Sequence, residues 1–457
     1  MLSSPSPYRE IDRDHHLHPF TNHFRLGEKG VRVIREAKGV YVWDVDGNKL
    51  LDGMSGLWCV NIGYGRDELA QAAYRQMKKL PYYNNFFQCS NEPAVLLSER
   101  LAKLAPGFSH VFYTNSGSEA NDTVVRLVRH YWSMEGKPDK DIIISRRNGY
   151  HGSTMAGASL GGMQPMHAQG GLPIEGIAHV MQPYAFGEGR GEDPEEFGLR
   201  AARDLENKIE ELGSDRVAAF IGEPVQGAGG VVIPPESYWP EVQRICKEHD
   251  VLLVADEVIC GFGRLGRWFG SQHYGINADL MPIAKALTSG YAPMGGVLVG
   301  GRVAEAFTGK DFEFAHGFTS SGHPVCAAVA IENLRIMEQE GIIDYAREKA
   351  APRFGEALAS LAEHPLVGEV RSREMLGAIE LVKEKGQLAP FDDVGAAGAI
   401  CRDLAVRNGV VMRAVRDTMV LAPPLVISDA EIDELAAKVG AVLDQAHEAL
   451  ARAGTVH

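Results

Sequence analysis

The sequence lacks paired cysteines. Its six, Cys59, Cys89, Cys246, Cys260, Cys326 and Cys401, are scattered and none forms a CxxC pair. That argues against a disulfide framework and fits reduced thiols in a cytoplasmic protein. Long apolar runs are missing too, so no membrane span is expected. There is no basic block: 46 Lys and Arg face 60 Asp and Glu, for a net charge of -14. A nucleic-acid partner is not expected, because phosphate contacts need clustered cations. The opening MLSSPSPYREIDRDHH has neither the basic start and apolar core of a signal peptide nor the acid-poor character of a transit peptide. Low-complexity tracts and internal repeats are absent.

What is present is a chain of 457 residues, too long for one ordinary core, with 51 glycines. Two domains, with many tight turns, are the expectation. Residues 1–30 are polar and read as an arm over the surface or over a partner subunit. YVWDVDGNKLLDG (41–53) reads as a hairpin. From about residue 66, helical patterns alternate with short apolar runs: HVFYT (110–114), DIIIS (141–145), RVAAFIGEPV (216–225), DVLLVADEV (250–258), LMPIAKAL (280–287) and GGVLVG (295–300). Such alternation predicts an α/β fold with a mostly parallel sheet. After about residue 325 long amphipathic helices take over (326–340, 343–362, 430–453). The expected division is an arm and hairpin at 1–65 that join the small domain, a large domain at 66–325, and a smaller α+β domain at 326–457.

Several stretches could carry chemistry, and each has a plainer reading. Ser116-Gly117-Ser118-Glu119 lies between a strand and a helix, where free N–H groups and hydroxyls make an anion site; it also reads as a simple Ser N-cap. Asp256 ends an apolar strand, a place where open parallel sheets bind ligands, or it forms a structural pair. Lys285 interrupts an apolar, strand-like run. Burial there would lower its pKa and free the amine as nucleophile and base; a snorkelling lysine is the alternative. Tyr150, within Asn148-Gly149-Tyr150-His151-Gly152, could lie flat on a planar ligand or be an ordinary loop aromatic. The hydroxyl-rich loop 317–324 could bind phosphate or only turn the chain. Together these supply an anion cradle, a stacking aromatic, an acid for a pyridinium and a lysine for an aldehyde, a set that matches pyridoxal 5′-phosphate.

The chain resembles the class III aminotransferases of fold type I, in their ω-amine:pyruvate branch. The resemblance runs from HHLHPFTNH (15–23) to LAPPLVIS (421–428). It is carried by GLWCVNIGYGR (56–66), SGSEANDTVVRLVRHYW (116–132), NGYHGST (148–154), GEPVQGAGGVVIPP (222–235), LLVADEVICGFGR (252–264) and GFTSSGHPVCAA (317–328). The resemblance implies that Lys285 forms the Schiff base with the cofactor and that Asp256 keeps its ring nitrogen protonated. Ser116, Gly117 and Ser118 would hold the phosphate, with Tyr150 and Val258 on the two ring faces. His151, Glu223 and Phe318 would be cofactor neighbours, and Thr319 would complete the phosphate site from a second subunit. Trp58, Tyr150 and Phe86 would line the substrate pocket, Phe86 again from the neighbour, and Arg413 would bind the keto-acid carboxylate. A homodimer, or a dimer of dimers, with shared sites follows. The implied reaction moves an amino group from an ω-amino acid, diamine or primary amine to pyruvate. Relatives usually carry glycine where Arg416 stands, often an aromatic where Ser320 stands, and a glycine-containing turn where SREM (372–375) stands. These departures bear on pocket size and acceptor preference.

Other readings fit less well. Gly261–Gly266 matches GxGxxG after a strand, but no helix is expected next, which weakens a nicotinamide-dehydrogenase reading. An aminomutase or decarboxylase on the same scaffold is a closer rival, against which Arg413 and Trp58 count. His15, His16 and His18 could bind a metal, but no carboxylate or cysteine set is seen with them, so none is expected. An inactive scaffold protein would not need the full set of cofactor residues.

Overall fold

The computed structural model describes residues 7–456. Its centre is a seven-stranded sheet. From edge to edge the order is Phe108–Thr114, Gly295–Gly300, Leu280–Ile283, Leu252–Ala255, Val217–Gly222, Ile142–Arg146 and Ile177–Val180. Strand Gly295–Gly300 is antiparallel to both neighbours, and the pairings among the other strands are parallel. Strands Val217–Gly222, Leu252–Ala255 and Leu280–Ile283 are buried along their whole length. This explains their continuous apolar runs, since a parallel sheet covered on both faces has no polar side to show. Helices Gly117–Met134, Pro194–Leu212 and Tyr238–Glu248 cover it with apolar faces built on Val124, Val128 and Trp132, Leu205 and Ile209, and Val242 and Ile245.

Two four-stranded sheets flank this layer. One holds the expected hairpin, Tyr41–Asp44 against Lys49–Asp52, closed by the Asp44 carboxylate, which accepts from the Asp46 and Asn48 N–H groups at 3.0 and 2.9 Å. The short strand Val410–Val411 adds to it in parallel, so the N- and C-terminal parts of the chain share a sheet. The second comprises Val367–Arg373, Leu376–Leu381, Thr418–Leu421 and Arg413–Val415. Helices Pro324–Gln339 and Asp429–Arg452 match the expected long C-terminal helices. The expected helix at 343–362 is a continuous helical run over 342–359 that carries a π-turn at Ala346–Ala350, and helix Ala396–Arg407 and strand Ile177–Val180 were not anticipated. The arm contains two short helices, Pro7–His15 and His23–Lys29.

Two of the departures noted in the sequence, SREM (372–375) and Arg416, sit at equivalent backbone positions. Arg373 pairs with Leu376, and Val415 with Thr418, so Glu374 and Arg416 each open a two-residue hairpin turn. Their φ angles are 51° and 54°, in the left-handed region, where glycine is at ease and an L side chain costs about 1–2 kcal/mol. The glycine usual there is a turn requirement, and Arg416 projects as an exposed side chain. Arg416→Gly should therefore leave stability unchanged or raise it by up to about 1 kcal/mol, whereas Arg416→Val should lower it. Urea denaturation midpoints of the two variants test this, and a clear loss with glycine would contradict it.

Candidate active site

The strand ends of the central sheet converge on a cavity of about 400 Å³, walled in part by Ser116, Gly117, Ser118, Asn121, Tyr150, His151, Glu223, Asp256, Val258 and Lys285. Asp256 follows strand Leu252–Ala255 and is buried. Its Oδ2 accepts from Asn121 Nδ2 at 2.9 Å and lies 2.7 Å from His151 Nδ1; its Oδ1 accepts from the Val258 N–H at 3.0 Å. A buried carboxylate needs such donors, since each missing charged hydrogen bond costs about 1.5–3 kcal/mol. Glu223, at the end of the neighbouring strand, accepts from the Tyr150 and Gly227 N–H groups at 3.2 and 2.9 Å. Burial pushes its pKa up.

The N-cap reading of Ser116–Glu119 holds, and it leaves the helix start open to the cavity. Ser116 caps helix Gly117–Met134 by accepting from the Glu119 N–H at 3.2 Å, and Ser116, Gly117 and Ser118 also face the cavity. Gly117 is required by close approach: a Cβ there would lie 2.9 Å from a methyl of Val258. Gly152 has φ 133°, and a Cβ would come within 2.7–2.9 Å of Ser118. The Ser118 hydroxyl accepts from the Ser153 N–H at 3.1 Å, so the 148–154 loop is laid against the helix start.

Lys285 is not in a strand, as its apolar neighbours had led us to expect. Strand Leu280–Ile283 ends first, and Lys285 opens a 3-10 turn with φ 47°. The strained backbone turns the side chain into the cavity, where it is half-buried. Burial lowers its pKa, offset in part by Asp256; Arg413 lowers it further. Arg413 is itself half-buried. Its guanidinium carbon stands 5.0 Å over the buried Trp58 ring, a cation–π pair. Burial lowers its pKa, and no carboxylate figures among the groups acting on it.

Phe86, Phe318 and Thr319 are not brought to this cavity by their own chain. Phe86 shares a separate cavity with His316, Gly317 and Ser321. The Thr319 carbonyl accepts from Tyr82 Oη at 2.8 Å, and Phe318 packs edge-on against His316. Sequence reading missed Asn121 and Cys59. Asn121 holds both Asp256 and the His151 carbonyl, at 2.9 and 2.8 Å. Its signal was a polar residue on the apolar face of a helix, four positions after Gly117. Cys59 lines the cavity and left no signal beyond its place next to Trp58.

A family model described as aminotransferase class-III matches residues 26–443. The chain is 56% identical over 439 residues to a putrescine–pyruvate aminotransferase of Pseudomonas aeruginosa, covering 96% of each chain. It is 43% identical over 459 residues to a diaminobutyrate–2-oxoglutarate transaminase of Halomonas elongata, covering 98% of each. Its structure superposes with a TM-score of 0.95 on an omega transaminase from Pseudomonas jessenii in complex with PMP, at 40% identity, covering 97% of this chain and 99% of that one.

The Lys285 environment has a measurable consequence. In cofactor-free protein its amine should titrate below the usual lysine pKa of about 10.4, because its charged form is poorly solvated. Competitive amine labelling across pH, read by peptide mapping, should show Lys285 reacting at lower pH than exposed lysines such as Lys79. An ordinary titration midpoint would contradict this reading of the cavity.

Proposed function

The chain belongs to the class III aminotransferases, and on that premise we propose that it transfers the amino group of a short diamine or related ω-amine to pyruvate, with Lys285 as its proton-moving base. It is a fold type I enzyme and uses pyridoxal 5′-phosphate. The residues present fit that group. The seven-stranded sheet lies wholly within 66–325, which supports reading that stretch as the cofactor-binding domain. The helix start at Ser116–Ser118 offers N–H groups and hydroxyls to a phosphate. Tyr150 and Val258 would hold the two ring faces, and Asp256, fixed by Asn121 and His151, would keep the ring nitrogen protonated. When bound, the cofactor supplies an aldehyde for the amine and an electron-poor ring that stabilises negative charge at the adjacent carbon.

The chain's own part is then proton traffic and charge placement. Lys285, whose cation burial disfavours, takes the proton from the amine-bearing carbon of the donor and returns it on the far side of the transfer. Pyruvate reverses these steps after the first product has left. The observation that carries the pyruvate reading is Arg413: a half-buried guanidinium beside Trp58, with no carboxylate among the described residues acting on it. A keto-acid carboxylate would supply that counterion in a bidentate geometry that lysine cannot match. The putrescine–pyruvate relative supports a diamine as the donor. Phe86, Phe318 and Thr319, kept away from Lys285 in their own chain, support a homodimer in which each subunit completes the other's site. Among the described residues no helix is long and apolar enough to cross a membrane; we place the enzyme in the cytoplasm.

A donor panel of putrescine, β-alanine and a simple arylalkylamine, with alanine production followed from pyruvate, tests the function. Putrescine should give the highest kcat/KM, and absence of alanine with every donor would overturn the proposal. Arg413→Ala should raise KM for pyruvate very roughly 30- to 150-fold, the effect of losing a charged hydrogen bond of about 2–3 kcal/mol. KM for putrescine, which has no carboxylate, should change little. Equal effects on both would remove Arg413 from the acceptor site. Sedimentation at assay concentration should find the activity in a dimer or larger; an active monomer would refute the shared site.

A further inference from the structure

The N-terminal arm gathers three ligand-type side chains that the proposed reaction does not use. Asp12 lies on helix Pro7–His15, and His16 follows four positions later on the same face. His16 Nδ1 is 3.1 Å from Asp12 Oδ1, and His18 Nε2 is 2.8 Å from Asp12 Oδ2. The two imidazole centroids are 4.1 Å apart, and one ligand atom from each of the three residues lies within 4.8 Å of the others. The sequence had drawn attention to His15, His16 and His18 with no acid among them; folding replaces His15 by Asp12. Helix Pro7–His15 is fastened to the body through Arg9, whose Nε donates to the Val31 carbonyl at 3.2 Å and whose guanidinium pairs with Asp46. Between this helix and helix His23–Lys29 lies a small cavity with Asp12, His16 and His23 in its wall.

We infer that Asp12, His16 and His18 form a binding site for a borderline divalent transition metal such as zinc, cobalt or nickel. Two imidazole nitrogens with one carboxylate suit that class, whereas magnesium and calcium favour all-oxygen shells. Tetrahedral bonds of about 2.0–2.2 Å place neighbouring ligand atoms about 3.3 Å apart; the imidazoles now sit on opposite oxygens of Asp12, and a metal would draw in ligand atoms that already lie within 4.8 Å of one another. In the metal-free arm the two imidazoles can turn N–H groups toward Asp12. With a metal the same nitrogens present lone pairs and the ring protons sit on the opposite nitrogens, so neutral histidines release no proton. Three protein ligands leave a fourth position for water. The site is coupled to the arm's path: Phe20, two residues beyond His18, stands edge-on to Tyr150 at 6.4 Å between centroids. A bound metal would fix the segment that carries the exposed Phe20 side chain against Tyr150.

Equilibrium dialysis of the holoenzyme against Zn²⁺ at neutral pH tests the site, with visible Co²⁺ absorption as a second readout of ligand geometry. Wild type should hold one Zn²⁺ per chain that Asp12→Asn and His18→Ala each weaken by about 10- to 100-fold or more, while His15→Ala leaves it in place. Circular dichroism and cofactor absorbance show whether each variant is folded and loaded. Equal Zn²⁺ binding by wild type and both ligand variants would overturn the inference. So would no binding by wild type, or loss of the metal in His15→Ala alone.

Discussion

The cavity depends on a carboxylate held out of water. Asp256 is buried at a strand end, where an unpaired charge would be too costly to keep. Its donors come from three places: Asn121 on the first turns of helix Gly117–Met134, His151 in the loop after strand Ile142–Arg146, and the Val258 N–H in its own loop. Satisfying one acid therefore sets the helix start, the Tyr150 loop and the Val258 turn relative to one another. Gly117 and Gly152 belong to the same constraint. The helix start can approach Val258, and the loop can approach Ser118, because neither position carries a Cβ.

Around that acid the charges are unequally matched. Lys285 gains some support from Asp256, but burial and the nearby Arg413 oppose its cation. Arg413 has an aromatic face instead of an acid. The positive features are local, the helix start and Arg413, and each favours an anionic ligand at its own place although Asp256 and Glu223 also line the cavity. A cofactor phosphate at the helix start and a keto-acid carboxylate near Arg413 are the two anions our proposal places there. Each would relieve a different excess of positive potential, one from helix N–H groups and one from a guanidinium. The two ends of the cavity are thereby distinguished without any contact between the ligands.

Much of this was legible in sequence because strand ends of parallel sheets announce themselves. Continuous apolar runs gave the strands, and Asp256, which broke one of them at its end, faces the cavity; Glu223 came only from the resemblance, and Glu257, in the same run as Asp256, turns away to cap Gly270 and Ser271. Lys285 was found by the same sign but assigned the wrong backbone, since apolar character does not distinguish a strand from the buried turn after it. Asn121 stayed hidden because one polar residue in a helix reads as surface until the partner strand is known. Glu374 and Arg416 looked like departures in the pocket. Their left-handed backbone identifies both as turn positions; the sequence had hinted at a turn only for 372–375. Asp12 was overlooked because a loop, not a period, brings His18 back to it.

The residues that the cavity lacks are bound to one another. Tyr82 Oη donates to the Thr319 carbonyl at 2.8 Å, Asn85 Nδ2 to that of Ser321 at 3.1 Å, and Asn91 Nδ2 to that of Gly322 at 2.9 Å. Asn91 also donates to Asn85 Oδ1 at 3.1 Å, tying the first segment internally. Gly317 lies against Phe86 so closely that a Cβ would meet the ring at 2.8 Å. Residues 82–91 and 317–322 thus behave as one piece, cross-linked by side-chain amides to backbone carbonyls. Whatever cavity receives Thr319 must receive Phe86 with it. In the dimer we propose, the partner then contributes an apolar wall and a phosphate-binding hydroxyl in a single step of docking. Neither can be lost by local loosening without disturbing the other, and this couples the subunit interface to both halves of the substrate-and-cofactor site.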